Sequence, residues 1–222
     1  TPDANVTTFA GTGSRGSNNG QGTSASFDRP YGLVFDSSSN LYVGDYGNHV
    51  IRKIDPSGNV TTFAGMMDSS GFSDGQGTSA SFYGPVGLTI DPQGNLYVTD
   101  QLNHSIRKID PSGKVTTIAG TGSEGSADGI GDQSSFNVPY GILSDENGNL
   151  LVADLVNHTI RKINLVGETI NFRVDFADAA GNSGSVDNTT DNSLVKVDLE
   201  APVILNDNIT STNQDPNWAK YG

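Results

Sequence analysis

The chain of 222 residues contains no cysteine. That absence excludes a disulfide framework, thiolate metal sites and a cysteine nucleophile together. Basic residues are also scarce: 12 Lys and Arg stand against 25 Asp and Glu, a net charge of −13. That sign argues against a nucleic-acid partner, because such affinity comes mainly from clustered cations on phosphates. It argues equally against docking on an anionic membrane surface. No apolar run approaches the roughly 18 residues of a membrane span, so no membrane insertion is expected. The chain opens at Thr1 with neither an initiator Met nor a leader-like stretch, which reads as a processed or excised piece of something longer. What is plentiful is glycine, at 28 residues, beside many Ser, Thr and Asn and only 17% charged residues. Such a composition fits a turn-rich all-β protein better than a helical bundle.

An internal repeat dominates the first three quarters of the sequence. VTTFAG at Val6–Gly11 returns as VTTFAG at Val60–Gly65 and as VTTIAG at Val115–Gly120, at spacings of 54 and 55 residues. Pro30, Pro85 and Pro139 keep that register, as do Asp45, Asp100 and Asp154, and His49, His104 and His158. The units run over about 6–59, 60–114 and 115–164. In the second unit, Val86–Ile90, Leu96–Thr99, Ser105–Ile109 and Val115–Ala119 read as strands, separated by the turns Asp91–Asn95 and Asp110–Gly113. Four short antiparallel strands per unit, at a period above about forty residues, is the pattern of a β-propeller blade.

NLYVGDYGNHVIRKID at Asn40–Asp55, NLYVTDQLNHSIRKID at Asn95–Asp110 and NLLVADLVNHTIRKIN at Asn149–Asn164, with PYGL, PVGL and PYGI before them, resemble the NHL repeat family in its longer prokaryotic form. The resemblance implies an all-β fold of three four-stranded propeller blades over residues 1–165, where NHL rings typically have about six blades. Beyond Asn164 the pattern changes. Ile170, Phe172, Val174 and Phe176 alternate with polar residues, a turn follows at Asp178–Asn182, and Leu194–Leu199 alternates again. FRVDFADAAGNSGS with VKVDLEAPVI is similar to the last hairpin of a bacterial Ig-like surface domain, so residues 166–222 are expected to form an Ig-like segment ending in an arm from Asn206.

Three blades leave two apolar flanks without neighbours, since a ring needs about four to eight. The strands are also out of phase with the blades. Val6, Thr7, Thr8, Phe9 and Ala10 form an orphan fourth strand at the N-terminus, while the third blade has no VTTxAG after it. Each end therefore lacks what the other carries. The expectation is a protomer completed in trans, as a closed pair of copies or an open filament, or else a fragment of a longer ring.

Three histidines invite a zinc reading, and some NHL-fold lyases use zinc. His49, His104 and His158 occupy equivalent places in successive blades, however, and need not converge. The preferred reading is structural: Asp45, Asn48 and His49, Asp100, Asn103 and His104, and Asp154, Asn157 and His158 cap the turn between second and third strands, the aspartates accepting backbone N–H groups. The pairs Arg52-Lys53, Arg107-Lys108 and Arg161-Lys162 split across the two faces of a strand. They read as solvated edges with cross-strand partners rather than an RNA-binding face. The loops Asn19–Gly22, Asp74–Gly77 and Asp128–Asp132 mix carboxylates with glycine; a simple turn is preferred over a calcium site, and no EF-hand pattern is present. Asn-x-Ser/Thr sequons stand at Asn5, Asn59, Asn103, Asn157, Asn188 and Asn208. No nucleophile–base pair or phosphate-binding glycine loop is evident, and no lyase residues carry over. The reading is thus an extracellular or cell-surface prokaryotic structural protein, not an enzyme and without a cofactor. Its partner is itself, with glycans as a further one; the alternatives are a secreted propeller module for protein or glycan ligands and, behind it, an NHL-type lyase.

Overall fold

The computed structural model describes residues 3–165, 174–177 and 183–186. The chain separates into two compact units, Thr1–Leu165 and Val166–Gly222. The described residues are all-β, with strands interrupted only by short 3-10 turns.

Each repeat folds into its own antiparallel sheet. The first contains β1 (Gly20–Gln21), β2 (Pro30–Phe35), β3 (Leu41–Asp45), β4 (Val50–Ile54) and β5 (Asn59–Ala64), in spatial order β1-β5-β4-β3-β2. The second repeats this order with β6 (Gly75–Gln76), β7 (Pro85–Ile90), β8 (Leu96–Asp100), β9 (Ser105–Ile109) and β10 (Lys114–Ala119). The third has β11 (Pro139–Ser144), β12 (Leu150–Asp154) and β13 (Thr159–Ile163). Four strands per unit were expected. The complete sheets have a short fifth, because the glycine-rich lead-in returns to pair Gly20 with Val60 and Val115 with Gly75.

Local chemistry explains the turns. Asp55 and Asp110 accept the backbone N–H two and four residues ahead, which fixes the Asp-Pro-Ser-Gly reversals, and Gly58 and Gly113 supply the positive φ. Period-two alternation then sends successive side chains to opposite faces.

Those faces make the core. Tyr42, Ile51 and Ala64 of the first sheet pack with Leu88, Val98 and Phe82 of the second repeat. Tyr97 and Ile106 on the other face of the second sheet pack with Phe136, Leu150 and Val152. Burying a side chain such as Ile106 contributes roughly 1.5–3 kcal/mol. The innermost strands approach so closely that a Cβ on Gly32 would overlap the carbonyl oxygen of Val86, and one on Gly87 that of Tyr140.

Among the described residues of Thr1–Leu165, no fourth sheet packs on either outer face of the three-sheet array. Leu33 is 61% exposed, whereas its counterpart Leu88 is 8% exposed. Ile160 is 71% exposed, whereas its counterparts Ile51 and Ile106 are fully buried. Among the described residues, no strand pairs with the outer edge of β13. Val6–Ala10, expected as a strand, has no strand partner among the described residues, and Val6 and Phe9 are exposed.

In the second unit, β14 (Val174–Ala177) pairs with β15 (Ser183–Val186), and the expected turn at Asp178–Asn182 lies outside the described residues. The expected strand at Leu194–Leu199 and the arm from Asn206 lie outside the described residues.

Candidate functional site

The most constrained constellation lies where the second strand of each sheet meets the following turn, a 3-10 turn in the first two sheets. In the second sheet, Asp100 ends β8 with its side chain wholly buried. One carboxylate oxygen accepts the Tyr83 N–H at 2.7 Å. The other accepts Asn103 Nδ2 at 2.8 Å and Arg107 Nη1 at 2.7 Å. Arg107 donates further to the carbonyls of Ser81 and Ser73 and to Asp74, with its guanidinium 5.1 Å from the Phe82 ring centroid. The first sheet builds the same cluster from Asp45, Asn48 and Arg52, and the third from Asp154, Asn157 and Arg161. Burial pushes the Asp45 and Asp100 carboxyls above their ordinary value, against the lowering effect of the Asn and Arg donors.

Two expectations change here. The aspartates do accept backbone N–H groups, but from residues 17 positions upstream, and the 3-10 turns carry no side-chain cap. The carboxylate faces inward and ties the lead-in loop to its sheet. The arginines are not solvated edges: Arg52 and Arg107 are fully buried and Arg161 nearly so, because five donors on a planar head let one side chain satisfy several inward-facing acceptors. Lys53 and Lys108, on the opposite side, are only half-buried. Asp74 and Asp128 of the glycine-rich loops are bound to Arg107 and Arg161 rather than presented to a cation.

The histidines close the turn, as expected, and do more: the backbone N–H groups of His49, His104 and His158 donate to the carbonyls of Tyr46, Gln101 and Leu155. His49, His104 and His158 sit in the left-handed region, at φ 59°, 49° and 54°. His49 Nδ1 accepts the Gly84 N–H at 3.2 Å, and His104 Nδ1 accepts the Val138 N–H at 3.2 Å. Each imidazole thus pins its own sheet to the next, and His158 is exposed at the open face. Burial draws the His49 pKa below its ordinary 6.5. Among the described residues, no three His, Cys, Asp or Glu are grouped to hold a metal ion.

The sequons divide. Asn103 and Asn157 use their amides inside the clusters, donating to Gly71 and Gly125 carbonyls as well as to their aspartates, so neither presents a free Nδ2. Asn5 is exposed and Asn59 half-buried; Asn188 and Asn208 lie outside the described residues.

One group escaped sequence reasoning. Tyr31 and Tyr140, from the first and third sheets, stand edge to face with ring centroids 6.0 Å apart, and Tyr31 meets Tyr46 at 5.4 Å. Arg29 lies 4.8 Å from the Tyr46 ring centroid. The Pro-Tyr-Gly triplets held the signal, since tyrosine at the start of an innermost strand is carried toward its neighbours.

Comparison with known proteins now bears on these residues. The family model described as NHL repeat matches residues 82–109. The central repeat is an NHL repeat. Its Asp100, Asn103, His104 and Arg107 fall inside the match, and both flanking repeats carry the same four types. NHL repeat-containing protein 2 of Bos taurus is 39% identical over 177 residues, covering 73% of this chain and 24% of that protein. A structural genomics protein of unknown function from Bacteroides thetaiotaomicron matches with TM-score 0.56 at 33% identity, over 60% of this chain and 34% of that one. An auxiliary nutrient binding protein from Bacteroides ovatus matches with TM-score 0.56 at 27% identity, over 64% of this chain and 38% of that one. These similarities support an NHL β-propeller family. The chain spans about a quarter of the bovine NHL relative's length.

Proposed function

We propose that the chain is a self-associating structural protein of three NHL blades, whose propeller is completed by strand exchange with another copy at the cell surface or outside the cell. The observation that carries this reading is the contrast between Ile160, 71% exposed, and its fully buried counterparts Ile51 and Ile106. In the first two sheets, that isoleucine lies under the strand β5 or β10 and the sheet that follows. In the third, both covers are wanting among the described residues, while Val6–Ala10 carries the sequence of such a strand without a strand partner. An edge and an unpaired strand of matching sequence satisfy each other through main-chain hydrogen bonds. The net charge of −13 keeps nucleic acid and anionic lipid out of the proposal. Analytical ultracentrifugation over a concentration series tests it. Reversible association lost on deleting residues 1–10 is expected; a monomer at every concentration overturns it.

A second reading is a secreted propeller module that binds a protein or glycan ligand. Two observations favour it: the exposed Tyr31 and Tyr140 clustered with the half-buried Tyr46, and the similarity to a solved protein described as nutrient binding. Saturable sugar binding, abolished by Tyr31→Ala in a chain that stays monomeric, would select this reading over association.

A further inference from the structure

The molecule contains two complete copies of one sheet-to-sheet contact, and they serve as a template for its open faces. In each copy, the trailing sheet offers a glycine on its innermost strand and a left-handed histidine after its second strand. Gly32 admits the backbone at Val86, and His49 accepts the N–H of Gly84; Gly87 admits the backbone at Tyr140, and His104 accepts the N–H of Val138. The incoming sheet offers the residue before its proline as donor, that proline, and an apolar side chain three residues further on. Pro85 and Pro139 are accordingly buried, Leu88 is buried and Ile142 half-buried.

The third sheet has the receiving half of this contact, with nothing in it among the described residues. Gly141 occupies the Gly32 and Gly87 position, yet a Cβ there would meet only the Ala153 Cβ, at 3.9 Å. His158 keeps the left-handed conformation of the other two histidines, φ 54°, and is exposed. The first sheet has the incoming half, also uncovered: Arg29, Pro30, Tyr31 and Leu33 are exposed, and Arg29 has a positive φ of 55°, like Gly84 at 68° and Val138 at 58°.

We infer that Gly141 and His158 form a built socket for the Arg29–Leu33 strand of a second copy of this chain. Nδ1 of His158 accepts the Arg29 N–H of that copy, and Leu33 enters beside Gly141. The occupant is a second copy because the chain itself carries the one surface known to fit, with donor, proline and leucine in register. The contact is head to tail, so two copies closing on each other make a six-sheet ring, and any other rotation makes a filament. This inference rests on the self-association proposed above and names its surface.

Two substitutions separate socket from plug. Gly141→Ala adds one methyl group where the chain has room but the docked backbone does not. Leu33→Asp charges the plug on an exposed position. By analytical ultracentrifugation, each variant alone should associate at least tenfold more weakly than the unaltered chain, with an unchanged circular dichroism spectrum. An equimolar mixture should recover heterodimers, because the Leu33→Asp chain retains an intact socket and the Gly141→Ala chain an intact plug. If the unaltered chain associates and both variants associate equally well, the socket is overturned while self-association stands. If a variant is impaired but the mixture shows no recovery, the head-to-tail contact is overturned. A chain monomeric at every concentration overturns both proposals.

Discussion

His104 Nδ1 accepts the Val138 N–H at 3.2 Å, so one unprotonated imidazole nitrogen links the second sheet to the third. His49 makes the same link to Gly84, with Asp100, Arg29, Asp28 and Asp68 as its charged neighbours. Protonating Nδ1 would replace the acceptor with a donor facing another donor. Burial is the first cause that holds the His49 pKa below 6.5, so the unfolded chain binds more protons than the folded one just under that pH. Stability therefore falls as pH drops below about 6.5 and levels off beneath the folded pKa. Urea midpoints measured between about pH 5 and 8 check this. His49→Asn, which retains tolerance of the left-handed backbone, should flatten the dependence.

Removing Asp100 leaves the fully buried Arg107 with only the half-exposed Asp74 as an anionic partner among the described residues. Asp100→Ala is expected to cost about 3–5 kcal/mol. Asp154→Ala should cost less, about 1–3 kcal/mol, since Arg161 is 13% exposed and reaches water. Equilibrium urea unfolding of the two variants side by side measures the difference.

Glycine substitutions should divide by sheet. Gly87→Ala forces a methyl group onto the Tyr140 carbonyl and should destabilise by about 1–3 kcal/mol or more. Gly141→Ala meets open space at an ordinary φ and should stabilise the single chain by about 0.4–1 kcal/mol. Thermal melts at low concentration, where association is suppressed, distinguish the two.

The equivalent isoleucines offer a third contrast. Ile106→Ala should cost about 2–5 kcal/mol, as a cavity in a covered core does. Ile160→Ala should change monomer stability by less than about 0.5 kcal/mol, because the side chain is already 71% exposed. The same substitution should weaken association in a sedimentation series.

Sequence alone determined the three-fold register, the four main strands of the complete sheets, the Asp-Pro-Ser-Gly turns and the incomplete third sheet, but not the short fifth strand or the unpaired state of Val6–Ala10 among the described residues. Each of those it determined is written in local chemistry: alternation at period two, and turn residues within four positions of their partners. The fate of the polar residues was not written there. Arg107 looked like a solvated cation because its acceptors, Ser81, Ser73 and Asp74, lie 26 to 34 residues away and meet it only once the lead-in loop folds back. Asn103 looked like a sequon for the same reason, as Gly71 is 32 residues distant. The histidines looked like turn caps and are, but their second role, joining neighbouring sheets through His49 and His104, was not legible. Alternation tells which side chains share a face; only tertiary packing decides which faces are covered, and so which charges are buried and which apolar surfaces stay open.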